Sequence, residues 1–152
     1  MQQEEEHAGR EIWCVFDYDV KPDEASTQPN DFNSSITRAQ DNGLKVACSN
    51  DAFERWFALH YVELHANVNR RDLYTILKDR WELDSFHNEA KAKAFCKGHY
   101  DRHQGLNGAS QELAIRRARR LHEAYRGDRN YSDQCPCTTV YLLVEELNKY
   151  LK

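Results

Sequence analysis

The stretch Glu11-Ile-Trp-Cys-Val-Phe-Asp-Tyr-Asp-Val20 decides the fold. Side chains alternate along a strand. Ile12 to Phe16 is too continuously apolar for a half-exposed strand, so it is expected to be covered on both faces, as the parallel strands of α/β sheets are. Asp17 and Asp19 then emerge on one side at its carboxyl end, which is where open α/β sheets place their ligands. Two carboxylates so placed either hold a divalent metal or begin a turn.

The residues that follow extend the same plan. Lys21 to Asn30 is polar with two prolines and reads as a loop. Asn30 or Asp31 can cap a helix with Phe32, Ile36 and Ala39 on its apolar side, which Asn42-Gly43 stops. Leu44 to Cys48 is a second short strand, and a strand, helix and strand in this order pair in parallel with a right-handed crossover. Ser49-Asn50 is thereby expected beside Asp17 and Asp19, capping a helix whose Phe53, Trp56, Phe57, His60 and Leu64 share one side. His60 in that stripe is either a hydrogen-bonded core histidine or a catalytic one. Glu54, in the first turn, either favours the helix dipole or faces the crevice as a further ligand or general base.

The second half is helical in pattern. Leu73, Ile76, Leu77 and Trp81 mark a helix over 72–81, and another is expected over 88–96, ending near Lys97-Gly98. His99 and His103 have ligand spacing but no third partner, which argues against a metal there. A helix over 110–125 turns Ala114, Ala118, Leu121 and Tyr125 inward. Arg117 borders that stripe and needs a partner, either a protein carboxylate or a substrate phosphate. Arg116 and Arg119 point elsewhere, and Arg119 and Arg120 are expected to be exposed. A last helix over 138–151 is expected to bury Val140, Leu143, Val144, Leu147 and Leu151.

Composition bounds the class. The 152 residues fit a single domain with enough apolar content for a core. No stretch reaches membrane-span length and the acidic start is unlike a signal peptide, so a cytoplasmic protein is expected. Five cysteines, an odd count, argue against a secreted disulfide framework. Cys14 and Cys48 read as small core residues, and Cys135-Pro-Cys137 reads as a turn rather than a zinc knuckle. The net charge of −4 hides a polarised chain, acidic at the front and rich in arginine and lysine from Lys91 to Arg129. Acidic metal site and basic surface together suit an enzyme that grips and cuts a phosphodiester backbone.

The assembled motifs resemble the central and C-terminal part of the RloB-like family. The resemblance rests on Trp13-Cys-Val-Phe-Asp-Tyr-Asp19 and on Gly43-Leu-Lys-Val-Ala-Cys-Ser-Asn50 followed by Phe53-Glu-Arg-Trp-Phe-Ala-Leu-His60. It continues through Lys97-Gly98, Arg117-Ala118 with Leu121, and Pro136-Cys-Thr-Thr-Val140 with Leu143-Val-Glu-Glu-Leu147. The resemblance implies a Toprim-like α/β fold, a parallel sheet flanked by helices, and a role in bacterial anti-phage defence by abortive infection beside an ATPase of the ABC/AAA type. It implies that Asp17 and Asp19 hold Mg²⁺ or Mn²⁺, that Glu54 and His60 occupy catalytic-block positions, and that Lys97 stabilises phosphate charge. Arg116, Arg117, Arg119 and Arg120 are the expected nucleic-acid contacts, to DNA or RNA.

Three departures from the family pattern matter. Asp51 and Ala52 replace a proline and a small residue, and Arg55 stands where an apolar residue is usual. The family's first strand and its glutamate have no counterpart in the ten residues before the aspartate strand, so an N-terminally incomplete Toprim-like domain over 1–152 is expected, with another chain carrying that module. The activity expected is metal-dependent nuclease action; a non-catalytic sensor or adaptor is the alternative.

Overall fold

The computed structural model describes residues 11–18, 28–65, 68–86 and 108–151. Strand β1 (Trp13–Asp17) leads to helix α1 (Gln28–Asp41), strand β2 (Lys45–Asn50) and the short helix α2 (Glu54–Leu59). Helices α3 (Arg70–Arg80) and α4 (Gln111–Glu123), a 3₁₀ turn at Tyr131–Asp133, strand β3 (Cys137–Thr138) and helix α5 (Val140–Asn148) follow. The architecture is α/β, as expected, and consistent with a Toprim-like fold.

β1 and β2 pair in parallel from Trp13↔Lys45 to Asp17↔Ser49, with α1 as the crossover. The sheet is nonetheless mixed. β3 runs antiparallel to β2 with Ser49↔Thr138 and Asn50↔Cys137 in register, so Cys137, read as part of a plain turn, and Thr138, read as the start of the last helix, form the third strand, in the order β1-β2-β3, and that helix begins at Val140. A two-residue strand is too short to carry an alternation signal. Side-chain hydroxyls hold it: Thr139 Oγ1 accepts from the Cys48 amide at 2.8 Å, and Ser49 Oγ meets Thr138 Oγ1 at 2.9 Å.

Alternation along β2 divides the apolar residues between the sheet's two faces. Val46 and Cys48 join Phe16 and Tyr18 under Phe32 and Ile36 of α1. Ala47 faces the larger cluster, with Trp56 and Leu59 of α2, Leu73 and Leu77 of α3, Ala114 and Ala118 of α4, and Val140, Tyr141 and Val144 of α5. β1 is not covered on both faces: Val15 is 55% exposed and Ile12 equally so. The helices of the larger layer pack over β2 and β3 rather than over the middle of β1.

Several helix ends differ from the pattern. α1 begins earlier, at Gln28, and stops at Asn42-Gly43, where Gly43 takes φ +75°. α3 starts at Arg70, because Asn69 accepts from the Arg71 and Asp72 amides while Asp72 accepts from the Asn69 amide, a reciprocal capping box. Ser110 caps α4 through the Leu113 amide at 3.2 Å. Ser49 and Asn50 cap nothing; they end β2, and α2 closes after one and a half turns, leaving Leu64 to reach the core from a loop. α5 buries Val140, Tyr141 and Val144, whereas Leu147 and Leu151 are exposed, Leu151 at 68%. The helix projects past the core there, and periodicity cannot report where a core ends. The helix expected over 88–96 lies outside the described residues.

Candidate functional site

The carboxyl ends of β1 and β2 bring the first set of polar residues together. Asp17 is exposed and in register with Ser49, and the Tyr18 amide donates to the Ser49 carbonyl at 3.0 Å. The expected neighbourhood of Asp17 and Ser49-Asn50 is therefore present; Asp19 lies outside the described residues. Asn50 turns inward, donating through Nδ2 to the carbonyls of Tyr131 and Ser132 at 2.9 and 2.7 Å. This ties the 3₁₀ turn against the end of β2.

Two carboxylates that were not expected here complete the rim. Asp51 follows β2 directly, and its backbone and side chain both accept from Arg70 Nη2, at 2.8 and 3.4 Å. With Asn69, Arg70 and Arg71 it lines a shallow cavity of about 410 Å³. Asp133 comes from the 3₁₀ turn. The Tyr18 phenol is pushed up by burial first and then by the charges of Asp133 and Asp51. Asp133 left no trace in the sequence because only the antiparallel return of β3 brings its turn here. Asp51 was visible as a departure from the family pattern, though not as a rim residue.

Glu54 opens α2, half-buried, one short loop beyond β2. His60, at the far end of α2, is buried edge-on to the Trp56 ring, 4.9 Å between centroids. Its Nδ1 lies 3.0 Å from the Trp56 carbonyl, which can only accept, so the proton sits on Nδ1. Burial, the leading cause, lowers its pKa to about 4 and holds the ring neutral. The core-histidine alternative describes this environment. Lys97, His99 and His103 lie outside the described residues. Among the described residues, no group of three or more His, Cys, Asp or Glu could by itself hold a metal ion.

The arginines of α4 all have protein partners. Arg117, at the edge of the apolar stripe as expected, donates through Nη1 to the Leu59 carbonyl at 2.6 Å and lies 3.7 Å from Glu63. Arg120 pairs with Glu63 at 3.2 Å, Arg119 with Glu145 at 2.5 Å and Arg116 with Glu112 at 2.9 Å. Arg117 thus has both a carboxylate and a carbonyl, the first of the two partners its position allowed. A larger cavity of about 850 Å³, lined by Trp13, Lys45, Val46, Ile115 and Leu142, lies at the amino ends of β1 and β2. It is at the wrong end of the strands to share ligands with Asp17. No described helix is long and apolar enough to cross a membrane.

Comparison with known proteins gives one match. The pattern of a family described as RloB-like protein fits residues 1–147. No curated protein and no solved structure matches the chain.

Proposed function

The chain belongs to the RloB-like family, and from that premise we propose that it is the metal-dependent nuclease component of a bacterial anti-phage defence system, hydrolysing phosphodiester bonds in DNA or RNA. The observation that supports the reading most is the exposed carboxylate of Asp17 at the end of β1, in register with the end of β2. Magnesium needs few protein ligands: it keeps several waters and is commonly bound by one or two carboxylates plus substrate phosphate. Asp17 with Asp19 fits that mode, and the lack of a three-residue ligand cluster among the described residues is compatible with it. Bound there, the ion would stabilise the charge that develops on the phosphate and help orient the attacking water.

The remaining roles fall to the chain's own groups. Asp17 and Asp19 fix the position at which a phosphate is met. Glu54, in the first turn of α2, is the candidate to accept the water's proton. Lys97 is the candidate cation for the phosphoryl oxygens. His60, neutral and buried at the far end of α2, acts in this reading by holding that end of the helix that carries Glu54 in the core. A partner ATPase of the ABC/AAA type would supply regulation. The pairing of all four α4 arginines with carboxylates favours the second reading, a non-catalytic sensor or adaptor, because paired cations are less available to phosphates.

Calorimetry with Mg²⁺ and Mn²⁺ separates the two. Binding that disappears in Asp17→Asn/Asp19→Asn with the fold intact is the expected result, together with Mg²⁺-dependent cleavage of DNA or RNA, by the chain alone or with its ATPase, that the same variant abolishes. Metal binding unchanged in the double variant would remove the basis of the nuclease reading. Metal binding without cleavage under any of these conditions would leave the adaptor.

A further inference from the structure

Arg55 is the most unusual side chain in the core. It is 0% exposed, and a charge at that depth is expected to have an anion beside it. Among the described residues no carboxylate pairs with it; Asp51, which attracts it from a distance, is engaged by Arg70. Its Nη2 donates to the Val68 carbonyl at 3.2 Å and to Cys135 Sγ at 3.6 Å. Its Nε and Nη1 have no hydrogen-bond partner among the described residues. Burial lowers the guanidinium's pKa, yet a guanidinium surrenders its proton only with great difficulty. Among the described residues, the one hydrogen-bond partner of Arg55 that can become an anion is the Cys135 sulfur.

Cys135 is also the thiol in this neighbourhood that reagents can reach, since it is exposed whereas Cys48 and Cys137 are buried. We infer that Cys135 is a modification site, a nucleophilic thiol whose anionic form is held by the buried Arg55 guanidinium and which reacts with soft electrophiles and with hydrogen peroxide. Partial burial, the largest effect, leaves the thiol raised overall, and Asp51 adds to this; Arg55 is the group that pulls it down, so the reactivity of Cys135 depends on that guanidinium. Cys137 lacks the exposure, and burial pushes it up to about 12. Tyr125 Oη donates to the Cys135 carbonyl at 2.9 Å and fixes the turn over Arg55. In the peroxide reaction the thiolate sulfur attacks one peroxide oxygen, an S–O bond forms and the O–O bond breaks. The departing hydroxide takes up the proton the thiol had released and becomes water. Sulfur is oxidised by two electrons, peroxide is reduced, and Cys135 is left as a sulfenic acid.

Alkylation with limiting iodoacetamide, mapped by mass spectrometry on the full chain, tests the pairing. Arg55→Met is expected to slow alkylation of Cys135 at neutral pH by about tenfold, the change in thiolate fraction for a one-unit rise in thiol pKa, without slowing Cys14. Arg55→Lys should restore most of the rate. An unchanged Cys135 rate in a folded Arg55→Met variant, or equal slowing of Cys14, would overturn the inference. The unaltered protein gives an independent check should the variants fail to fold: peroxide followed by dimedone is expected to tag Cys135, and its absence from the tagged peptides would sink the proposal just as firmly.

Discussion

At the scale of single residues, burial decides what each titratable group can do. His60 is neutral when folded because its pKa falls to about 4, against about 6.5 in an unfolded chain. The unfolded state therefore binds more protons between those values, so stability should rise with pH across that window and be lost as pH falls through it. The difference is on the order of 3 kcal/mol at most. Urea unfolding across the window should show this slope, and His60→Phe should flatten it; an equally steep slope in the variant would assign the acid sensitivity elsewhere. Arg117 illustrates the complementary case. Truncating it to Ala removes the bond to the Leu59 carbonyl and the packing of its stem, with an expected loss of about 1–3 kcal/mol. Its place at the border of the α4 stripe was legible from helical angle alone. The burial of Arg55 was not, because a charged residue on a helix reads as solvated until the neighbouring loops are known to cover it.

At the scale of elements, short segments are held by side chains rather than by backbone periodicity. β3 has only two residues, so the hydroxyls of Thr138 and Thr139 do much of the joining to β2. Thr139→Val keeps the shape but leaves the buried Cys48 amide without its partner, which should cost about 1–3 kcal/mol. Thermal or urea denaturation measures it; a loss well under 1 kcal/mol would mean that the Cys48 amide finds another acceptor. Asn69→Ala, which removes the capping box of α3, should cost about 1 kcal/mol by the same measurement. Capping residues are local and can be read from sequence: Ser110 bounds α4 where expected. Ser49 and Asn50 have the same chemistry, yet pairing with β3 claims them for the sheet. A local preference worth about 1 kcal/mol yields when tertiary pairing offers more.

At the scale of the whole molecule, charge distribution governs how the chain meets a polyanion. If α4 contacts phosphates, nucleic-acid affinity should fall steeply with salt, and Arg119→Gln/Arg120→Gln should make the log–log slope shallower by roughly two. Stability should change by less than about 1 kcal/mol, since Arg119–Glu145 and Arg120–Glu63 are surface pairs. An unchanged slope would leave α4 as a solvated face held by its own carboxylates. The α/β class, the parallel β1–α1–β2 unit, the meeting of Asp17 with Ser49 and the inner faces of α3 and α4 are all legible in the order of residues. All of these follow from contacts within one strand–helix–strand unit or from periodicities of two and 3.6 residues, which the order of residues writes directly. Residue order did not reveal that β3 returns antiparallel, that Asp133 and Asp51 both act on the Tyr18 phenol, that Arg55 is enclosed against Cys135 or that Leu147 and Leu151 stay outside. Those outcomes depend on which distant segment arrives at a given surface, and the energy of such an arrival belongs to neither segment alone.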